Sequence, residues 1–188
     1  MEEVVYGLYN ELDKVGVGNS EITMDFVIPL ELMSEWERCG LISDYLARYE
    51  AFTFDDQELA TQVLSTVINE LLENAVKFST DKNKIVNITI KHFGSFLSVE
   101  AVNNTDEKHA LNLESYITKL KESSPEDFFF AQIEKNALVQ SYNLYGLGLL
   151  TLVNDYEAKL GIKIQKKIKT GYDIFTMVLF FTNNFSNS

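Results

Sequence analysis

From Asp55 to Phe78 an apolar residue returns every third or fourth position, and no other segment carries so sustained a pattern. Leu59, Val63, Val67, Leu71 and Ala75 form one row at i, i+4 spacing, with Leu64, Ile68, Leu72 and Val76 beside it, so one face of a long helix is committed to a core. Acidic residues near Asp55 suit the positive end of its dipole. Upstream, Ile22, Met24 and Phe26 alternate with polar neighbours as a strand does, and Pro29 stops it. Leu32, Trp36, Cys39, Leu41, Ile42 and Leu46 approximate helical spacing between Leu30 and about Tyr49, although Gly40 weakens the middle. Residues 1–14 read as a short helix ended by Gly16-Val17-Gly18-Asn19.

Downstream, Ile85–Phe93 and Phe96–Val102 read as two strands of an antiparallel hairpin joined at Gly94-Ser95. The glycine-free segment from Thr105 to Tyr145 predicts two short helices, the second opened by Ser124-Pro125-Glu126-Asp127. A further helix is predicted from Gly146 to about Leu160, terminated by Gly161. Ile162–Ile168 and Ile174–Phe181 then close the chain as a second hairpin around Lys169-Thr170-Gly171. Phe175, Met177, Leu179 and Phe181 alternate with Ile174, Val178 and Phe180, so both faces of that last strand are apolar, as in a central strand. The polar tail from Asn183 is expected to lack fixed structure. Without a repeat or linker, this order makes one α+β domain, a mixed and largely antiparallel sheet with helices on one face.

Composition narrows the function. A 188-residue chain with 46% hydrophobic residues buries enough surface to fold without a disulfide or structural metal. Cys39 stands alone beside two histidines, His92 and His109, which excludes a Cys/His zinc site and fits a reducing compartment. A net charge of -12 opposes binding to nucleic acid or to an anionic membrane. No apolar run approaches the roughly 18 residues of a spanning helix, and Met1-Glu2-Glu3 is acidic where a signal peptide is basic, so a cytoplasmic location is expected. Trp36, Tyr45 and Phe128-Phe129-Phe130 suit either a core or an interface, and core is the default for large aromatics.

Two short segments carry candidate chemistry. Glu70, Asn74 and Lys77 follow one another at i, i+4, i+7 on the polar side of the long helix, either as a functional row or as a solvated face with a Glu73–Lys77 ion pair. Tyr145-Gly146-Leu147-Gly148-Leu149 opens a helix, where bare backbone N–H groups favour phosphate, but where glycines also serve to let a helix lie close to a sheet.

Together and in this order, the two segments resemble a known pair. Asn69-Glu70-Leu71-Leu72-Glu73-Asn74-Ala75-Val76-Lys77-Phe78-Ser79 resembles the N-box of the GHKL ATPases, the superfamily of gyrase, the heat-shock chaperone, histidine kinases and the mismatch-repair ATPase. Gly146-Leu147-Gly148-Leu149 resembles that superfamily's second glycine box, and the likeness covers roughly residues 20–182. The resemblance implies the Bergerat fold, a two-layer α/β sandwich that binds Mg-ATP between the N-box helix and a lid, here about residues 105–145. It implies Asn74 as the side-chain ligand of Mg²⁺, Glu70 as proton acceptor, Lys77 as a charge near the phosphates, and Gly146, Leu147 and Gly148 as the phosphate-facing backbone. Asn103 falls where the family places an adenine-binding Asp. Thr105 and Glu107 stand at that box's glycines, and Leu144 replaces the first glycine of the second box. As residues alone, Asn103-Asn104-Thr105 also reads as a polar turn ending a strand.

Neither histidine has the setting of a phosphoacceptor, so a complete sensor kinase is not expected. The chain is more similar to stand-alone anti-sigma-factor serine kinases and SiaB-type regulatory proteins, which place a strand and helix before the N-box. By that likeness it phosphorylates Ser or Thr on a small partner of the anti-sigma-antagonist type. Alternatives are a catalytically degenerate GHKL domain that binds a protein, with or without nucleotide, and an ATPase without a protein acceptor. The residues leave a homodimer open.

Overall fold

A computed structural model describes residues 3–10, 22–34, 36–81, 84–122, 127, 148, 150, 156, 158–167 and 171–185. Among them, strands β1 (Glu3–Gly7), β2 (Ile22–Pro29), β3 (Ile85–Phe93), β4 (Phe96–Thr105), β5 (Lys159–Lys166) and β6 (Tyr172–Phe181) form one sheet. Its order is β1-β5-β6-β4-β3-β2 and every pair is antiparallel, so the expected mixed sheet is purely antiparallel here. Helices α1 (Trp36–Ala51), α2 (Gln57–Phe78) and α3 (Glu107–Glu122) lie on one side, giving a two-layer α+β sandwich. No helix among the described residues is long and apolar enough to cross a membrane.

Alternation decides which layer each side chain enters. Val86, Ile88 and Ile90 of β3, Leu97, Val99 and Ala101 of β4, and Ile174, Val178 and Phe180 of β6 face the helices, where both apolar rows of α2 meet them, except for Leu59, which is exposed at the start of its row. β6 lies between β5 and β4, as its two apolar faces predict.

Several expectations are corrected, the first being that the helix expected from Leu30 starts only at Trp36, with Leu30–Ser34 a 3-10 turn. Residues 3–7 are a strand, not part of a helix: Val4, Val5 and Tyr6 suit a pleated surface and find partners on β5, with Val4 opposite Ile164 and Tyr6 opposite Ile162. The rest of that predicted helix beyond residue 10, like the Gly16–Asn19 stretch, lies outside the described residues. The helix predicted to reach Leu160 cannot do so, because β5 starts at Lys159. Gly161 is a close-approach residue, not a helix terminator. The 3-10 turn Leu8–Asn10 lies over it, and an added Cβ would stand 2.9 Å from Leu8 Cβ. From this turn the Tyr9 hydroxyl donates to the Glu100 carboxylate, and burial raises its pKa, keeping it a donor.

Further corrections concern the tail and α1. Phe185 ends a 3-10 turn at Thr182–Phe185 and is buried, so the tail is anchored at least that far; residues 186–188 lie outside the description. Tyr45 is 66% exposed and not core, while the side chains of Trp36 and of Phe128–Phe130 lie outside the described residues. The first helix predicted after Thr105 exists as α3; of the second, only Asp127 is described, and it is helical.

One acid is buried in the core. Glu50, at the end of α1, is 1% exposed, and its Oε1 lies 3.4 Å from His92 Nδ1 on β3, under the stacked ring of Phe54. Burial pushes its carboxyl from 4.5 up to about 7. The folded state then holds a proton that the unfolded chain releases from about pH 4.5 upward, so this contribution is complete at low pH and lost as pH rises through 7. The shift corresponds to about 3 kcal/mol, or roughly 10 °C in Tm for a chain of this size. We expect the Tm difference between wild type and Glu50→Gln to change by about that much from pH 4.5 to pH 8, with the variant gaining as pH rises. A difference that stays flat with pH would assign Glu50 no such role.

Candidate functional site

The site is organised by α2. Asp56 caps its start by accepting from the Leu59 N–H at 2.9 Å. Its far end is tied to β4: the buried Thr105 hydroxyl donates to Phe78 O at 2.6 Å, and Asn103 Nδ2 donates to Ser79 Oγ at 3.3 Å. The two apolar rows press on the sheet, so Glu70 and Asn74 fall at the boundary between the core and the polar side, and both are half-buried.

Glu70 meets the glycine segment. A Cβ built on Gly148, which is helical, would stand 2.0 Å from Glu70 Oε2 and 2.1 Å from its Cδ, so the carboxylate rests on the bare Cα. Burial raises the Glu70 pKa, repulsion from Glu73 adds to the rise, and Lys77 opposes it. Glu73 is turned to another partner, accepting from Asn69 Nδ2 at 2.7 Å. Lys77 is exposed, with Nζ 5.3 Å from the Phe78 ring centroid, and acts on Glu70 from the rim.

One turn after Glu70, Asn74 Nδ2 is buried without a hydrogen-bond partner. Such an orphan costs about 1–3 kcal/mol, and here it borders a cavity between α2, α3 and strands β4, β5 and β6. The cavity is about 40 Å³, room for two or three waters. Its wall is apolar except for Asn74, Asn103, Thr105, His109, Tyr116 and Thr176. Beyond Thr105 a wider polar cleft of about 420 Å³ opens between Lys84, Lys166, Lys167, Asp106 and Glu107.

The structure thus brings together Glu70, Gly148 and Asn74, places Asn103 across the cavity and leaves Lys77 at the rim. Gly146 and Leu147 lie outside the described residues. Asn103-Asn104-Thr105 is not a turn, because β4 continues through Thr105. Sequence reasoning missed Thr176, His109 and Tyr116. Thr176 had a signal: it is the polar member of the inward row Ile174, Thr176, Val178, Phe180. His109 had a weaker one, Asp106 three residues before it, whose carboxylate caps α3 by accepting from the His109 N–H at 2.9 Å.

Among the described residues no three His, Cys, Asp or Glu side chains are grouped to hold a metal ion. A hard cation here would therefore take most of its ligands from phosphate and water, and a half-turn of the Asn74 amide would offer Oδ1 as one more. With the orphaned Asn74 amide and the bare Gly148 Cα, the residues fit a phosphate-bound Mg²⁺. No protein-family model matches this chain, and no curated protein matches it.

Gly148→Ala is expected to displace the Glu70 carboxylate while leaving the fold intact, since the clashing atoms are the end of a flexible side chain. Circular dichroism and Tm should stay near wild type, with any nucleotide affinity or turnover reduced at least tenfold. Unchanged activity would separate Gly148 from the site.

Proposed function

We propose that this chain is a Mg-ATP-binding regulatory protein of the GHKL type, a stand-alone serine/threonine protein kinase that acts on a small partner protein in a bacterial partner-switching pathway. The observation that carries this reading is the seating of the Glu70 carboxylate on Gly148, one helical turn from the unpartnered Asn74 amide. The turn of α2 that carries Glu70 thereby meets Gly148, far away in sequence, as expected from the resemblance.

Each residue has a role its chemistry allows. Bound Mg-ATP supplies the phosphoryl group. Glu70, half-buried and with a raised pKa, accepts the proton of the attacking hydroxyl. Asn74 offers one neutral oxygen to the cation. Gly148 lets backbone approach where a side chain would obstruct, and the helix it belongs to favours negative charge at its start. Asn103 stands across the cavity, where a side-chain carbonyl can accept from an exocyclic amine. The net charge of -12 and the lack of a spanning helix among the described residues agree with a cytoplasmic protein partner over nucleic acid or a membrane.

A second reading, a protein-binding GHKL domain without catalysis, is favoured by the size of the cavity. At about 40 Å³ it is smaller than a purine, and His109, Leu113 and Tyr116 of α3 form part of its wall, so nucleotide entry requires that wall to open.

Calorimetric titration with ATP, with and without Mg²⁺, tests the choice. The kinase reading expects saturable, Mg²⁺-dependent heat and a stabilisation of about 2.7 kcal/mol when ligand reaches a hundred times Kd. Absence of heat together with an unmoved Tm would overturn it in favour of the binding module.

A further inference from the structure

Glu50 stands where a carboxylate is poorly placed. It is the penultimate residue of α1, at the end of the helix where the dipole is negative. It is 1% exposed, its Oε1 has no hydrogen-bond partner among the described residues, and His92 Nδ1 stays 3.4 Å away. A carboxyl so enclosed is favoured in its neutral form. The surrounding elements bring no second cation. β2 and β4 place Ile22 and Leu97 opposite His92, β6 brings Phe180, and residues 182–185 carry no charge. Arg48 on α1 is exposed, while Asp55 and Asp56 in the next turn and Glu58 at the start of α2 are themselves acids. Among the described residues only His92 comes within ion-pair distance of Glu50.

The cover over this pair is fastened at two points. The Phe54 ring stacks on His92 at 5.4 Å, and the Phe185 ring lies 4.8 Å from Phe54. The Phe185 carbonyl accepts from the N–H of Asp56, the residue that caps α2. At the other end of the same 3-10 turn, the Thr182 N–H donates to Ser95 O at 3.0 Å and its hydroxyl to Gly94 O at 3.4 Å, in the β3–β4 hairpin. The turn therefore runs from a hinge at Thr182 to a catch at Phe185.

We infer that the Thr182–Phe185 turn is a proton-operated latch: a neutral Glu50 carboxyl keeps Phe185 docked on Phe54 and bonded to Asp56, and ionisation of Glu50 releases the turn about Thr182 while the rest of the sandwich stays folded. The opening is local, which a general loss of stability with pH would not be. Its sign follows from the carboxyl. The docked state holds the proton, and the open state lets water reach Glu50 and releases it. Docking is therefore strongest below about pH 4.5 and weakens as pH rises through 7. None of Glu50, His92, Phe54 and Phe185 lines the cavity, so the latch works whether or not that cavity takes a nucleotide.

Amide hydrogen exchange of the full chain, followed by NMR and expressed as protection factors so that the intrinsic pH dependence drops out, reads the latch at the Asp56 N–H. Its protection is expected to fall roughly fifty- to a hundredfold from pH 5 to pH 8, the factor supplied by an acid that ionises near 7 when docked and near 4.5 when open. Ile68, in the middle of α2, and Thr182 at the hinge should stay better protected than Asp56 at every pH, because they open only with the whole fold. Glu50→Gln, neutral throughout, is expected to abolish the fall. Glu50→Met, which is neutral and asks for no hydrogen bond, takes its place if the first variant loses its circular dichroism signature. Protection at Asp56 that does not change with pH overturns the latch, as does a fall that persists in the neutral variants. Protection at Asp56 equal to that at Ile68 throughout overturns it too, since the opening is then that of the whole fold.

Discussion

Glu70→Gln is expected to lower phosphoryl transfer by roughly 10²–10⁴-fold, the usual share of a positioned general base, while ATP binding and Tm stay close to wild type. The substitution keeps the size of the side chain and replaces a carboxylate that can take a proton with a neutral amide that cannot. Glu70 has what that role needs. Burial raises its pKa, Glu73 adds to the rise and Lys77 opposes it, so the carboxylate is a stronger base than a solvated one. Because the active form is the deprotonated one, the wild-type rate should climb with pH through the raised pKa of Glu70, and the Gln variant should lose that limb. Measuring ADP release with and without an acceptor protein separates the outcomes. Equal losses in both identify a base shared by hydrolysis and transfer, whereas turnover that survives intact in Glu70→Gln removes the kinase assignment.

Phe185→Ala is expected to destabilise the fold by about 3–5 kcal/mol, the cost of emptying a buried aromatic site. Phe185 is 2% exposed. Its ring lies 4.8 Å from that of Phe54 and 5.8 Å from that of Phe180, and its carbonyl accepts from the Asp56 N–H at 3.0 Å, just before α2. The terminal turn therefore plugs the end of the core beneath the Glu50–His92 pair and steadies the start of the helix that carries Glu70 and Asn74. Urea denaturation of the variant should show a lower midpoint with a similar slope. A loss below about 1 kcal/mol would mean that the site collapses around the missing ring or that the turn contributes little.

The two cases differ in how far the sequence alone exposed them. Glu70 and Asn74 were legible because helical periodicity is local: the rows from Leu59 to Val76 fix which side of α2 is core, and the polar positions follow. Phe185 was hidden because a lone aromatic in a polar tail has no period, and only its docking between Phe54 and Phe180 reveals it. The same holds for residues 3–7, whose strand exists because β5 supplies a partner from the far end of the chain. Gly161 looked like a helix stop until the turn at Leu8 was seen to lie upon it.

By itself the sequence determined the long helix and its core face, the β3–β4 hairpin, the central place of β6, and the order of the two segments that resemble a nucleotide site. These rest on spacing, turn residues and charge, which act over a few residues. Only the tertiary structure decided that Gly148 lies on Glu70, that Asn74 Nδ2 is left without a partner, that α3 forms part of the wall of the cavity of about 40 Å³, and that Tyr45 faces solvent. Those facts depend on contacts between residues remote in sequence, which are set by how whole elements pack and which no local pattern specifies.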